Sequence, residues 1–131
     1  MGQAYEQPLF KVGLYPSDDD RTTIATNQFY GVMIGTAKHV AGTGQGNAAI
    51  VYPKAGGAIF GVLQNNPQQG EAAELIAEGI SKARAAGAFD VGDNLMVDAT
   101  GAFLKGDGTG TVVAIACMKA NGGDIVSIRL K

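Results

Sequence analysis

The side chains that could do chemistry are few and far apart. His39, in Thr36-Ala-Lys-His-Val40, is the one histidine, and Cys117 is the one cysteine. Hydrolytic triads and most zinc sites need histidine in company with a nucleophile, an orienting carboxylate or further ligands. Beside Lys38, His39 reads as a surface residue at a strand end. Ser17, Ser81 and Ser127 lie in no nucleophile-elbow sequence. Cys117 sits in the apolar run Thr111-Val-Val-Ala-Ile-Ala-Cys-Met118, where a lone thiol is expected to act as a small core residue. No catalytic residue is nominated, and the chain is expected not to be an enzyme.

Ligand-binding motifs fare no better. Gly42-Thr-Gly-Gln-Gly-Asn47 and Gly106-Asp-Gly-Thr-Gly-Thr111 are glycine-rich, but each precedes a strand-like run and neither ends in the Gly-Lys-Ser/Thr of a phosphate loop. Both read as hairpin connections. Asp18-Asp-Asp20 places carboxylates on adjacent residues, which do not converge on one ion as alternating calcium ligands do. Asp90, Asp93 and Asp98 bracket a strand, with Gly92-Asp93 and Asp98-Ala-Thr-Gly101 as its turns, and read as solvated acidic loops. No metal and no cofactor is expected.

The elements that would position these residues are short strands. The chain has 131 residues, enough for one core. Aromatic residues make up 7% and tryptophan is absent, so Val, Ile, Leu and Met must build that core, with Ala and Gly where chains approach closely. Apolar runs alternate with glycine-rich breaks: Phe29–Ile34, Ala48–Tyr52, Ala58–Leu63, Asn94–Asp98, Ala102–Lys105, Val112–Met118 and Ile125–Leu130. In the last run Val126, Ile128 and Leu130 alternate with Ser127 and Arg129, the period-2 pattern of a half-buried strand. Residues 1–27 differ: Tyr5, Leu9, Phe10, Val12, Leu14 and Tyr15 lie between Pro8, Pro16 and the acidic run. They read either as an arm that packs on something else or as an edge strand, Leu9 to Leu14, laid on the chain's own sheet. The division expected is an N-terminal arm at 1–27 and a barrel-like domain at 28–131.

Glu71–Arg84 carries two conflicting signals. Ala72, Leu75, Ile76, Gly79, Ile80 and Ala83 recur at helical spacing, yet Gly79 sits mid-segment, where it costs a helix roughly 1 kcal/mol relative to Ala. The surrounding strand rhythm favours β, because tertiary context overrides weak propensity.

Charge and targeting signals limit the partners. Formal net charge is −2 and the cationic residues are scattered, so the basic patch that nucleic-acid binding needs is missing from the sequence. Met1–Pro8 lacks the basic start and apolar stretch of a secretion signal, and no apolar run approaches the roughly 20 residues of a membrane helix. Neither nucleic acid nor membrane is an expected partner, and synthesis in the cytoplasm is.

The order of motifs from Ile59 onward is more specific than any one of them. Ile59-Phe-Gly-Val-Leu-Gln-Asn-Asn-Pro67 is followed by Gly70-Glu-Ala-Ala73, Glu78-Gly-Ile-Ser-Lys82 and Ala86-Gly-Ala-Phe-Asp-Val-Gly-Asp93. Then come Leu95-Met-Val-Asp-Ala-Thr-Gly101, Val113-Ala-Ile-Ala116 and Gly123-Asp-Ile-Val-Ser-Ile-Arg-Leu130. With Gln28-Phe-Tyr30 upstream, this order resembles the tailed-phage capsid decoration proteins, also called capsid cement or head-decoration proteins, over residues 28–131. The resemblance implies an all-β fold, a compact antiparallel barrel or sandwich with an extended N-terminal arm, and a strand over Glu71–Arg84 with Gly79 at a bend. It implies a structural virion protein, made in the host cytoplasm, that binds the major capsid protein outside the shell, as a homotrimer. Many identical weak contacts would then stabilise the shell together. Tyr5, Leu9, Phe10 and Tyr15 are the expected capsid- or partner-binding residues. The alternatives are another virion part (tail tube, baseplate or fibre) or a small-ligand or glycan-binding barrel, for which aromatic residues are scarce. Within this reading Ile128 faces the core, so Ile128→Ala is expected to cost roughly 2–5 kcal/mol in chemical denaturation; an unchanged midpoint would place that face in solvent.

Overall fold

The structure is a computed structural model that describes residues 4, 6–14, 26–36, 48–68 and 71–131. Every element in it is a strand: β1 (Gln7–Leu14), β2 (Gly31–Thr36), β3 (Ala48–Val51), β4 (Gly61–Leu63), β5 (Ala73–Arg84), β6 (Asn94–Val97), β7 (Phe103–Lys105), β8 (Ala114–Ala116) and β9 (Ile125–Leu130). They form one antiparallel sheet in the order β3-β2-β4-β5-β9-β8-β6-β7, with β1 paired to β5 beside this path. The sheet curls into a half-barrel, which is the all-β architecture expected from the sequence. Glu71–Arg84 is resolved in favour of β, and Leu9 to Leu14 lies within a strand on the chain's own sheet.

β5 organises the rest. Its first half pairs with β1 and β4, with Val12 and Leu63 both opposite Leu75, and its last five residues pair with β9, from Ile80↔Arg129 to Arg84↔Ile125. Two buried clusters result. The larger fills the concave side of the curl with Val62, Ile76, Ala83, Phe89, Leu95, Phe103, Val126 and Ile128 among others. The smaller gathers Val32, Ile50, Leu63, Ala73 and Leu75, supported by Ile34, Tyr52 and Phe60. Val62 and Leu63 are neighbours on β4, and Leu75 and Ile76 on β5, so each pair serves both clusters from the two faces of the sheet.

Gly79 makes this possible. Ile76 and Ala83 both belong to the larger cluster although they are an odd number of positions apart, which regular alternation forbids. Between them Gly79 has φ 96°, a left-handed conformation that side chains resist, and the β1 register shifts beside it, from Pro8↔Gly79 to Phe10↔Glu78. The irregularity resets the alternation, as a bulge does. The first half of β5 can then contribute Ile76 and the second half Ala83 to one core.

The far end of the sheet is tied back to its beginning. Gly31 N–H donates to the Gly101 carbonyl at 2.8 Å, Gly56 N–H to Val97 at 2.8 Å, and Ala86 N–H to Phe103 at 2.6 Å. These ties need bare backbone: a Cβ on Gly101 would stand 2.1 Å from the Gly31 carbonyl oxygen. Two details of the sequence reading change. Ser127 is fully buried, not solvent-facing, and Cys117 is half-exposed instead of a core residue. Ile128 is fully buried, as the alternation requires.

The glycines supply a paired test. Gly101 (φ 93°) and Gly108 (φ 88°) share a left-handed backbone, but nothing lies within 4 Å of a Cβ on Gly108. Gly101→Ala should lose about 3–5 kcal/mol by combining conformational strain with a backbone collision, whereas Gly108→Ala should lose only about 1–2 kcal/mol. Equal losses in urea denaturation would refute the close approach of β2 and the β6–β7 turn.

Candidate interaction surface

Strand pairing places a mixed row of side chains on the convex face of β5, β9 and β8. Paired residues of an antiparallel sheet share a face. Ile80, Arg129 and Ile115 therefore form one row, with Arg84 and Ile125 in another, and Lys82 opposite Ser127 between them. Their core-facing neighbours Ala83, Val126, Ile128, Ala114 and Ala116 are buried, so this face points away from the larger cluster. Ile80, Ile115 and Ile125 are each half-buried, apolar side chains left on the outside between cations.

The cations are held to different degrees. Lys82 Nζ lies 3.9 Å from Glu6 and 5.9 Å from the centre of the Phe29 ring. Such a partly exposed ion pair adds little stability, but it orients the lysine along the face. Arg84 Nη1 donates to the Gly123 carbonyl at 2.7 Å, while its Nε is buried without a partner. Arg129 is exposed. Where β5 changes alternation, Ala77, Glu78, Gly79, Ile115, Arg129 and Lys131 line an open groove of about 530 Å³. This arrangement offers apolar contact rimmed by positive charge, which suits an acidic or amphipathic protein surface more than a chemical step.

Phe29, at the margin of this face, is the one described non-glycine residue with positive φ, at 72°. Its N–H donates to Leu63 at 2.6 Å and its carbonyl accepts from Arg84 N–H at 2.9 Å. These two bonds hold a conformation that costs a bulky residue about 1–3 kcal/mol. No sequence signal marks it, because glycine or asparagine is what such a position ordinarily takes.

The acidic residues shape turns. Asp98 Oδ1 accepts from the N–H and hydroxyl of Thr100 and from the N–H of Ala102, and Asp107 Oδ1 accepts from the N–H and hydroxyl of Thr109. These are two copies of one Asp-x-Thr-Gly turn, at either end of β7. Asp93 and Asp124 each accept the N–H three residues upstream, from Asp90 and Asn121. Among the described residues no three metal-ligating side chains converge.

Of the expected partner-binding residues, Tyr5 and Tyr15 lie outside the described residues, as do His39, Asp18-Asp-Asp20 and the Gly42–Asn47 loop. Leu9 and Phe10 are on β1. Phe10 is opposite Glu78, and Leu9 is the residue skipped by the register shift, so the backbone brings both beside the groove. Ile80, Ile115 and Arg129 were not singled out from sequence; each is an ordinary strand residue until the pairing aligns them.

No family model matches this chain, and no curated protein does. Among solved structures it is similar to the N base of the head fiber gp8.5 of bacteriophage phi29. The superposition has a TM-score of 0.66 and covers 93% of each chain at 13% sequence identity. At that identity the likeness establishes a shared fold.

Asp107 supplies a pH test. The Thr109 hydroxyl, then the Thr109 N–H, holds its carboxyl below the ordinary aspartate value. A depressed folded value means that this turn's contribution is present above the unfolded aspartate range and is lost as pH falls through the lowered value. Thr109→Val should raise the Asp107 pKa toward the ordinary value in an NMR titration of the carboxyl carbon. An unmoved titration would show that the hydroxyl does not hold the carboxylate.

Proposed function

We propose that this chain is a structural protein of a tailed-phage head, attached to the outside of the capsid shell, where it binds the major capsid protein and stabilises the assembly as a homotrimer. The observation that carries the reading is the extent of the fold match: the superposition on the base of a phage head fiber covers 93% of both chains. The order of motifs over residues 28–131, which resembles that of capsid decoration proteins, supports the same reading from the sequence.

The contact surface that fits this role is the convex face with Ile80, Ile115, Ile125 and Arg129, together with the groove beside Gly79. Leu9 and Phe10 adjoin that groove through β1, and Tyr5 and Tyr15 flank the same strand in sequence. Because β1 is part of the sheet, removing residues 1–27 would expose the β5 edge, and single substitutions test the arm more cleanly. A second reading is favoured by the structural neighbour, the base of a phage head fiber: the chain serves as such a base. The two differ in number, since a stabilising coat needs many copies.

The experiment is co-sedimentation with phage heads, with copy number measured against the major shell protein. Decoration predicts hundreds of copies, removable without loss of the shell; a few dozen would favour a fiber base, and none would overturn both. Ile115→Asp combined with Arg129→Glu should weaken binding to heads by about tenfold or more while leaving the fold intact, as expected for central interface residues. Undiminished binding would remove the convex face from the proposal.

A further inference from the structure

We propose that Asn121 is a site of spontaneous deamidation, and that the reaction rebuilds the turn joining β8 to β9. Asn121-Gly122 is the sole Asn-Gly pair in the chain. Both residues are exposed. Among the described residues none forms a hydrogen bond with the Asn121 side-chain amide or the Gly122 N–H; Asn121 is held through its backbone, with its N–H on Asp124 Oδ2 at 2.9 Å and its carbonyl accepting Asp124 N–H at 3.1 Å.

The chemistry needs only water. The Gly122 amide nitrogen gives up its proton and attacks Cγ of Asn121; the Cγ–Nδ2 bond breaks and ammonia leaves. The resulting five-membered imide is opened by water at either carbonyl. Cleavage of the Cγ–N bond leaves aspartate, and cleavage of the backbone C–N bond leaves isoaspartate, with the chain rerouted through Cγ. A side chain on the following residue hinders this attack, and Gly122 has none. The other described asparagines are less suited. Asn27, Asn65, Asn66 and Asn94 precede Gln, Asn, Pro and Leu, and the first three have bonded side chains.

Asp107-Gly108 is the comparable aspartyl step, exposed and followed by glycine. There Thr109 engages Oδ1 through two bonds, and an ionised carboxylate is a poor electrophile. The same local sequence chemistry is thus blocked in one turn and open in the other.

The affected turn is a latch. Gly123 N–H donates to Ala85 at 2.8 Å, Ala85 N–H to Asp124 at 2.8 Å, and Arg84 Nη1 to Gly123 at 2.7 Å. An extra backbone methylene at position 121 shifts all three partners. It also sets a new carboxylate near Arg84, at the end of the convex face; that consequence alone rests on the function proposed above.

The test is to age the full folded chain at mildly alkaline pH, beside the chain unfolded in denaturant, and map the products by peptide mass spectrometry. The folded chain should gain about one mass unit at Asn121 before any other described asparagine reacts. Methyl transfer by an isoaspartyl methyltransferase should mark the same peptide and not the one holding Asp107. Gly122→Ala should slow the conversion severalfold; its Cβ would come no nearer than 3.4 Å to Ala86. Asn121→Gln should abolish it, and either variant aged alongside should keep a higher melting temperature than the aged parent chain. A folded chain that keeps Asn121 intact while the unfolded chain converts would overturn the proposal. So would earlier reaction at another described asparagine.

Discussion

A regular strand shows alternate residues to its two faces, and β5 has to satisfy a core that changes face along its length. In its first half Leu75 and Ile76 supply opposite clusters; in its second half Ala83 must return to the cluster that Ile76 serves. Gly79, left-handed at φ 96°, resets the alternation between them. The remaining architecture follows from this position. β1 and β4 flank the first half, β9 pairs along the second, and β8, β6 and β7 are added beyond β9. A strand that kept strict alternation would put Ala83, and with it the β9 pairing face, on the wrong side.

Curling the sheet brings its ends together at a distance only backbone can occupy. Gly31 against Gly101 is such a contact, and the low aromatic content suits a concave core lined by Ala, Val, Ile and Leu, with Phe89 and Phe103 as its large members. The same curvature leaves a convex face on which isoleucines alternate with cations. Burial there is incomplete: Ser127 is covered, but Ile80, Ile115 and Ile125 are only half-buried and Arg129 is exposed. A surface of this kind can gain area by association, which is the physical basis for reading it as a contact surface.

The acidic side chains have a structural task. Asp93, Asp98, Asp107 and Asp124 accept N–H groups that their turns leave unpaired, and the Asp-x-Thr-Gly pattern does so twice, around β7. Carboxylates so engaged shape hairpins. That the similar base of a phage head fiber shares this fold at 13% identity accords with constraints that reside in turn chemistry, close glycine contacts and alternation, all of which many sequences can meet.

The sequence by itself determined the class and most of the elements. Strand and turn signals recur at short range, so Ile125–Leu130, Asn94–Val97 and the Asp98–Gly101 turn could be read residue by residue. Gly79 could be seen as an interruption, but the helical spacing of Glu71–Arg84 conflicted with its strand context and it was the family resemblance that settled on β, which the pairing of Ala73–Arg84 bears out. Tertiary structure alone decided which residues share a face. Ser127 occupies an outward register position yet is buried, and Cys117 leaves the core beyond the end of β8. Phe29 takes a left-handed backbone because Leu63 and Arg84 bind it from two strands. Ile80, Ile115 and Arg129 become one surface only through pairing across β5, β9 and β8, between residues up to about fifty positions apart. Local patterns carry the cost of each turn and the period of each strand, but register is set by contacts between distant segments, and those exist only once the sheet has closed.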